Sequence, residues 1–402
     1  MPDFPIVNVT PMISLAARPA VQQLRSSKIR EVANAGMGKE DVIEFWFGEP
    51  DEVTPDFIRQ AGIDALERGE TFYTQNLGIP ELRVSIGNYV SRLHRNDGSG
   101  QIAADNIAVT NSGMSALMLT AQALVGPGDR VVIVTPVWPN LVEIPKILGA
   151  EVVTFPLSYT PEGWSLDLER LLATLKPGTR ALYINSPNNP TGWTIDRETQ
   201  NAILEHCRGH GIWIVGDDAY ERLYYGGGAA PSFLDISDTR DRVVSTNTFS
   251  KSWLMTGWRL GWIVAPKELV ANLATLLEYN TSCAPGFVQR AGIVAIEQGE
   301  TVVARTLTRL QKARDFLTAQ LRQIPGIETT LPPGAMYAFF KIHGIADSLA
   351  FCKRLVTDAG LGLAPGIAFG PEGEAFVRWC FASSEERLAQ GIERLRKALA
   401  QR

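Results

Sequence analysis

Short apolar runs rich in β-branched residues alternate with helical patterns through the middle of the chain. Residues 115–129 are apolar at helical spacing and end in a Gly- and Pro-containing stretch. Residues 194–211 begin with Thr and Asp signals for a helix start and end at a Gly. This alternation predicts an α/β protein with a mostly parallel sheet covered by helices. The predicted strands are residues 107–110, 130–136, 181–185, 213–217, 242–247 and 259–265.

After about residue 290 the pattern changes to a mixture typical of an α+β domain. The predicted elements there are a helix over 300–323, a strand over 334–342, a helix over 347–360, a strand over 375–382 and a helix over 385–402. We therefore predict three parts. The large sheet domain is 48–290, and the small α+β domain is 291–402. The N-terminal segment, 1–47, contains a helix over 21–36, and this segment packs with the small domain.

The composition indicates a large cytoplasmic protein. Of 402 residues, 45% are hydrophobic, which is enough for more than one domain. A net charge of -5 without a Lys/Arg block argues against nucleic-acid binding. Neither a membrane span nor a secretory signal is evident in the chain. The cysteines lack the spacing of a zinc site or a disulfide framework and predict free thiols and no metal: Cys207, Cys283, Cys352 and Cys380.

Lys251 follows a predicted strand in an apolar setting, with Phe249, Trp253 and Leu254 close in sequence. These neighbours predict an enclosed ammonium, which is costly unless it is neutralised, paired or used covalently. A Schiff base to an aldehyde cofactor is one such use, and an ordinary solvated lysine is the alternative. Arg259, eight residues later, begins the next predicted strand and is a candidate phosphate ligand.

Polar residues follow other predicted strands, at the edge where open α/β sheets bind ligands. Asp217 ends an apolar run and needs a cationic or donor partner; a pyridinium nitrogen is one candidate, and a helix cap is the alternative. Asn189 lies in a turn of Asn, Pro and Gly residues and can present its amide to a ligand, although these residues also form ordinary turns. Residues 112–115 begin a helix, where exposed amides can bind a phosphate.

Together these segments resemble the class I and II aminotransferases, which are pyridoxal-phosphate (PLP) enzymes of fold type I. The resemblance runs from residues 46–55 to residues 377–386. It rests on SPNNPTG at 186–192, DDAY at 217–220 and SKxxxMTGWRxGW at 250–262. It implies a three-layer fold, PLP as the cofactor and a homodimer with shared active sites. The implied activity is the ping-pong transfer of an amino group from an amino acid to a 2-oxo acid. The alternatives on the same scaffold are a carbon–sulfur β-lyase and an aminocyclopropane-carboxylate synthase type of enzyme.

The resemblance also implies a role for each matched residue. Lys251 forms an aldimine with the cofactor and then carries the proton, and Asp217 pairs with the pyridine nitrogen. Arg378 clamps the substrate α-carboxylate as a bidentate pair. Gly48 lies where the backbone meets the substrate.

The remaining implied roles concern the cofactor ring and phosphate. Tyr220 and Asn189 hydrogen-bond the phenolic oxygen, and Trp138 stacks on the ring. The residues expected at the phosphate are Ser112, Gly113, Met114, Thr248, Arg259 and, from the neighbouring subunit, Tyr73.

Departures from the family pattern bear on the substrate. Met114 stands where some members that act on acidic substrates have a lysine, and residues 278–285 lack the positive charge that others use. We therefore predict that neutral or apolar amino donors are preferred over aspartate, with glutamate accepted through a mobile arginine such as Arg18. Leu141 replaces a histidine that some members place behind the ring-nitrogen aspartate, which leaves the support of Asp217 open.

Overall fold

The computed structural model describes residues 16–95, 100–238 and 240–401. The α-helices are α1 (Pro19–Gln22), α2 (Lys28–Gly36), α3 (Asp56–Glu67), α4 (Pro80–His94), α5 (Gly113–Leu124), α6 (Pro139–Ile147), α7 (Leu168–Thr174), α8 (Arg197–His210), α9 (Phe249–Ser252), α10 (Lys267–Glu278), α11 (Gly286–Gln298), α12 (Glu300–Arg322), α13 (Ser348–Ala359) and α14 (Glu385–Ala400). The strands are β1 (Ile43–Glu44), β2 (Ile107–Thr110), β3 (Arg130–Thr135), β4 (Glu151–Pro156), β5 (Ser158–Thr160), β6 (Gly163–Ser165), β7 (Thr179–Asn185), β8 (Trp213–Asp217), β9 (Val243–Thr248), β10 (Gly261–Val264), β11 (Ile327–Glu328), β12 (Tyr337–Ile342), β13 (Leu361–Gly362), β14 (Ala364–Pro365) and β15 (Phe376–Cys380).

A seven-stranded sheet forms the centre of the fold, in the order β2-β10-β9-β8-β7-β3-β4. Neighbouring strands from β9 to β4 run parallel, whereas β10 runs antiparallel to both β9 and β2. The predicted mostly parallel α/β sheet is confirmed. Asn185 pairs with Asp217, and Asp217 pairs with Thr246, so β7, β8 and β9 end side by side at one edge.

Helices bury both faces of this sheet. Along β3, Val131 and Ile133 belong to one buried cluster, whereas Val132 and Val134 belong to the cluster on the opposite face. Successive side chains of a strand point to opposite faces of the sheet. When helices cover both faces, every side chain of the strand is buried. This is why β3 has a run of four apolar residues, Val131 to Val134, rather than an alternating pattern.

A second sheet, four-stranded and antiparallel, has the strand order β11-β12-β15-β14 and lies among the C-terminal elements. A third apolar cluster contains Phe340 of this sheet together with Leu317 of α12, Leu355 of α13 and Leu388 of α14. The same cluster contains Val32 of α2. Strand β1 pairs in parallel with β13. The chain from α2 to β1 therefore packs beside the C-terminal elements.

Two local predictions are wrong. The helix predicted over 21–36 is divided into α1 and α2, because Ser27 takes an extended conformation and its hydroxyl accepts a hydrogen bond from the amide of Arg30. Serine competes with a continuous helix in this way. The strand predicted from Arg259 begins instead at Gly261, and Arg259 has a left-handed φ of 55°. A Cβ atom at Gly261 would lie 2.6 Å from the amide nitrogen of Gly113, so these two segments pack backbone against backbone.

The four cysteines are free thiols, as predicted. Within the described ranges, no helix is both long enough and apolar enough to cross a membrane.

Candidate active site

A cavity of about 600 Å³ lies where β7, β8 and β9 end, and residues of α2, β12 and β15 complete its walls. The structure brings most of the predicted site residues to this cavity. Those that line it are Gly48, Gly113, Met114, Trp138, Asn189, Asp217, Tyr220, Thr248, Lys251, Arg259 and Arg378. Ser112 and Tyr73 lie outside the lining.

Asp217 is a buried carboxylate at the end of β8. Its side chain accepts one long hydrogen bond, of 3.4 Å, from the amide of Ala219. Burial, reinforced by the neighbouring charge of Asp218, raises the pKa of Asp217 to about 7. No helix follows β8, so the alternative of a helix cap does not describe this residue. A carboxylate with so few donors is suited to a cationic partner in the cavity.

Lys251 lies in α9, directly after β9, and its Nζ donates a 2.6 Å hydrogen bond to the carbonyl oxygen of Gly48. Burial lowers the pKa of Lys251 to about 8. At pH 7 about a tenth of this amine is therefore unprotonated, and the unprotonated amine is the form that attacks a carbonyl or accepts a proton.

Arg378 lies on β15 and is buried, with 2% of its surface exposed. Its Nη1 donates a 3.1 Å bond to Oδ1 of Asn189, and its Nη2 donates to the carbonyl of Trp46. The guanidinium also stacks 4.6 Å from the ring centroid of Tyr337. Its Nε has no hydrogen-bond partner in the described part of the chain. A buried donor left open beside a cavity fits an incoming carboxylate.

The turn that carries Asn189 is fastened to two neighbouring elements. The Asn185 side chain accepts a 2.7 Å bond from the Asn189 amide and donates a 2.9 Å bond to the carbonyl of Asp217. The amide of Trp138 donates a 2.9 Å bond to the carbonyl of Asn189. These bonds hold Asn189, Asp217 and Trp138 in a fixed relation at the cavity wall.

Tyr220 and Tyr337 meet inside the site, with their hydroxyl oxygens 2.6 Å apart. Burial raises the pKa of both phenols above the usual value. A Cβ atom at Gly48 would lie 1.9 Å from the Tyr337 hydroxyl oxygen. Only a glycine lets the backbone at 48 approach Tyr337 and accept from Lys251 at the same time.

One end of the cavity is suited to a phosphate. Gly113 and Met114 begin α5, where amide groups and the helix dipole favour an anion, and Ser112 caps this helix by accepting from the amide of Ser115. A Cβ atom at Gly113 would lie 3.1 Å from Cβ of Thr248, so the start of α5 and the end of β9 are in close contact. Arg259 is exposed and extends into the same cavity from the loop before β10.

Leu141, which stands where some members of the family have a histidine, lies in an apolar cluster beside the large sheet, and the neighbouring negative charge that acts on Asp217 comes from Asp218. Asp218 accepts bonds from Ser245 Oγ at 2.6 Å and Ser232 Oγ at 2.9 Å. Burial raises the pKa of Asp218 to about 6. Glu221, in the turn that follows Asp218, lies 2.9 Å from Nε2 of His94 at the end of α4. The charged group next to Asp217 is therefore the carboxylate of Asp218 rather than an imidazole.

Arg30, which no sequence pattern singled out, also lines the cavity. Arg18, the arginine chosen from sequence, lies elsewhere and donates a 2.7 Å bond to the carbonyl of Ile147. Both residues precede the first motif of the resemblance, and their order in the chain carries no signal that separates them.

A lysine, an aspartate and an arginine around one cavity, at the edge of a mostly parallel sheet, are the arrangement of a PLP-dependent enzyme of fold type I. The chain belongs to the family of class I and II aminotransferases, whose family model matches residues 40–395. It is 35% identical to the aspartate aminotransferase of Pyrococcus horikoshii over 379 residues, which are 94% of this chain and 95% of that one. The solved structure of the aspartate aminotransferase of Thermotoga maritima matches with a TM-score of 0.87 and 32% identity, over 96% of this chain and 100% of the other. The alanine aminotransferase of Pyrococcus furiosus matches with a TM-score of 0.88 and 27% identity, over 96% and 100%.

The chain is therefore a transaminase, and its cofactor is PLP. The residues present fit this cofactor. Asp217 offers a nearly bare buried carboxylate for a protonated ring nitrogen, Lys251 offers a partly unprotonated amine, and the start of α5 offers amides for a phosphate. When bound, PLP supplies an electron-withdrawing ring that stabilises negative charge at the substrate Cα.

Proposed function

We propose that this transaminase works in two half-reactions of a ping-pong mechanism and prefers neutral or apolar amino donors. The observation that carries the mechanism is that Lys251, Asp217 and Arg378 line one cavity. Nζ of Lys251 is the covalent attachment point of the cofactor and afterwards the group that removes and returns the proton at the substrate Cα. Asp217 holds a proton on the ring nitrogen, and the Arg378 guanidinium orients the α-carboxylate.

The remaining site residues orient the cofactor in this proposal. Tyr220 and Asn189 bond its phenolic oxygen, and Trp138 packs on the ring face. Gly48 keeps the backbone against the substrate. The phosphate is held by Ser112, Gly113, Met114, Thr248 and Arg259.

The preference for neutral or apolar donors is supported by the wall of the cavity. Aromatic and aliphatic side chains make up much of it: Ile29, Phe47, Met114, Leu117, Trp138 and Tyr337. Thioether and aromatic groups adapt to apolar side chains of different shapes. Residues 278–285 bring no cation to this wall.

A homodimer with shared sites is the second part of the proposal. Phe72, Tyr73 and Tyr279 are 84%, 89% and 84% exposed, which is unusual for aromatic side chains. The amide of Thr74 donates to Sγ of Cys283, so the segments that carry these aromatic residues lie side by side. An exposed apolar patch of this kind is typical of a protein interface, and it supports a role for Tyr73 at the neighbour's phosphate. Sedimentation should show a dimer, and a fully active monomer would refute the shared sites.

The division into parts 1–47, 48–290 and 291–402 also stays a proposal, as does the cytoplasmic location. The division is supported by Val32 and Phe340 lying in one apolar cluster, apart from the clusters of the large sheet.

Half-reaction spectroscopy tests the proposed activity. Leucine, phenylalanine, methionine, alanine and aspartate, added one at a time, should convert the bound cofactor to its amine form, and a 2-oxo acid should restore the original spectrum. A β-lyase or a cyclopropane-forming enzyme would release products without this reversible conversion. Larger kcat/KM for aspartate than for every neutral donor would refute the proposed preference.

A further inference from the structure

Tyr337 contacts several residues of the proposed mechanism, which itself gives Tyr337 no role beyond lining the wall of the cavity. It is the first residue of β12 and is 1% exposed. Its hydroxyl oxygen lies 2.6 Å from that of Tyr220, and its ring centroid lies 4.6 Å from the guanidinium carbon of Arg378. A Cβ atom at Gly48 would lie 1.9 Å from the same hydroxyl oxygen, so the backbone closes the space around the phenol. The side chain is therefore fixed between a group that faces the cofactor and a group that faces the substrate.

The hydrogen bond between the two phenols has a direction that the site defines. Tyr220 lines the cavity, and in the proposed function its proton goes to the phenolic oxygen of the cofactor. The Tyr220 oxygen can then only accept from its neighbour, so Tyr337 is the donor. Burial raises the pKa of both phenols, so both hydroxyl groups keep their protons near neutral pH. Hydrogen bonds in such a chain polarise one another, and a phenol that accepts a bond is a stronger donor.

The ring of Tyr337 acts on a different residue. Two aromatic rings lie against the guanidinium of Arg378, whose carbon is 4.6 Å from the ring centroid of Tyr337 and 5.0 Å from that of Phe369. Strand β12 pairs with β15, and this pairing brings Tyr337 beside the strand that carries Arg378. A guanidinium packed on aromatic faces keeps the direction of its donors, which a bidentate bond to a carboxylate requires.

We propose that Tyr337 is a positioning residue that serves both anchors of the site. Its hydroxyl donates to Tyr220 and strengthens the bond from Tyr220 to the phenolic oxygen of the cofactor, and its ring holds the Arg378 guanidinium in the plane that the α-carboxylate needs. The inference rests on the proposed function, because Tyr220 and Arg378 have their roles there. The two effects depend on different atoms of one side chain, so substitutions can separate them.

The hydroxyl is tested by Tyr337→Phe, which removes only the donor. The pH midpoint of the bound-cofactor absorbance is measured in the PLP-loaded wild type and variants. A weaker bond to the phenolic oxygen leaves more negative charge beside the nitrogen that links the cofactor to Lys251, so the midpoint should rise. We expect a rise of roughly 1–2 pH units for Tyr220→Phe, which loses a hydrogen bond to a charged oxygen. For Tyr337→Phe we expect roughly 0.2–0.6 unit, since one bond in a chain strengthens the next by about 10–30%.

Two further proteins show whether Tyr337 acts through Tyr220. In a chain that already carries Tyr220→Phe, adding Tyr337→Phe should leave the midpoint unchanged, because the acceptor of its bond is gone. Tyr225→Phe is the matched control. The Tyr225 hydroxyl also donates inside the protein, to the carbonyl of Ala335, and its ring also lies against an arginine, Arg314, but Tyr225 does not line the cavity. Its midpoint should equal that of wild type.

The dissociation constant of PLP, measured by titrating the cofactor-free proteins, gives a second readout. It should rise roughly 1.5- to 4-fold for Tyr337→Phe in the wild-type background and stay unchanged when Tyr220→Phe is already present. A Tyr337→Phe protein with the midpoint and the PLP affinity of wild type would overturn the role of the hydroxyl. An effect that persists in the Tyr220→Phe background would overturn it as well.

The ring is tested by comparing Tyr337→Phe with Tyr337→Leu, which removes the aromatic face as well as the hydroxyl. Alanine and leucine share the α-carboxylate and differ in the side chain, so a loss that acts through Arg378 should be equal for both donors. Tyr337→Leu should raise KM for each about 3- to 30-fold, as expected for a buried cation–π contact, and Tyr337→Phe should leave it within about a factor of two. A wild-type KM in Tyr337→Leu, or a loss confined to leucine, would overturn the role of the ring.

Failure of the proposed function would give a different result. If Tyr220→Phe leaves both the midpoint and the PLP affinity of wild type unchanged, Tyr220 does not bind the cofactor, and the proposed orientation of the cofactor fails together with the role of the Tyr337 hydroxyl. If Tyr220→Phe changes both and Tyr337→Phe changes neither, the proposed function stands and only the role of the Tyr337 hydroxyl fails.

Discussion

Replacing Asp217 by asparagine should stabilise the cofactor-free protein and at the same time inactivate the enzyme. The carboxylate is buried, receives one long hydrogen bond from Ala219 and lies beside the charge of Asp218. Its charged form is therefore unfavourable in the cofactor-free protein. A positively charged ring nitrogen that binds next to it compensates the buried charge. Asparagine has nearly the same shape but no charge, so it removes the unfavourable charge together with the partner of the ring nitrogen.

The size of the effect follows from the pKa of Asp217, which rises from 3.8 to about 7 on folding. At a pH below the pKa of the unfolded chain, Asp217 is protonated in both states and does not change the free energy of unfolding. Between the two values the folded protein keeps a proton that the unfolded chain has lost, so stability falls as the pH rises. At a pH above the pKa of the folded protein, the charged carboxylate lowers the free energy of unfolding by a constant amount of about 4 kcal/mol, since one pKa unit is about 1.4 kcal/mol. Between about pH 5 and about pH 8, wild type should lose roughly 2–3 kcal/mol relative to Asp217→Asn.

Urea unfolding of both cofactor-free proteins at the two pH values measures this difference. Asp358→Asn, which removes an exposed carboxylate from α13, is the control and should keep the same stability difference from wild type at both values. Added PLP should stabilise wild type more than Asp217→Asn, because only wild type relieves a buried charge on binding. A stability gap between wild type and Asp217→Asn that does not widen with pH would refute this account of the carboxylate.

Three further changes test the other anchors of the site. Lys251→Ala should fold, as judged by circular dichroism, and lose about a thousandfold or more in kcat, because no other amine takes over the proton transfer; near-normal turnover would remove Lys251 from the mechanism. Arg378→Lys should lower kcat/KM for all amino acids about a hundredfold, since a buried bidentate partner is lost, and a loss confined to one substrate would mean that it reads the side chain instead. Gly48→Ala should cost about 1–3 kcal/mol in urea unfolding because its Cβ would lie 1.9 Å from the Tyr337 hydroxyl oxygen, and Tyr337→Phe in the same chain should recover part of that loss; unchanged stability would show that the backbone at 48 has room to move.

The parallel sheet and the main site residues were predictable because their signals are local. Lys251, Asp217 and Asn189 each lie at or shortly after the end of a predicted strand, and the carboxyl ends of parallel strands meet at one edge. The pattern therefore specifies both the strand and the place of the residue after it.

Other features depend on contacts between distant segments and carry no such signal. Arg30 reaches the cavity because α2 packs on the C-terminal cluster. The sequence predicts that this segment packs with the small domain, but it does not indicate which residue of the segment faces the cavity. Arg18 carries the same charge and lies in the same N-terminal segment, but its guanidinium donates a hydrogen bond to the carbonyl oxygen of Ile147. The break before α2 arises because the Ser27 cap outweighs a helical periodicity that continues through it.

The assignment of the active site is tested most directly by finding the lysine that carries the cofactor. Borohydride reduction of the PLP-loaded protein fixes the cofactor to its amine, and mass spectrometry of the digested protein identifies the modified peptide. We expect the added mass on Lys251 in wild type and its absence in Lys251→Ala. Modification of a different lysine, or of none, would contradict the assignment of this cavity as the active site.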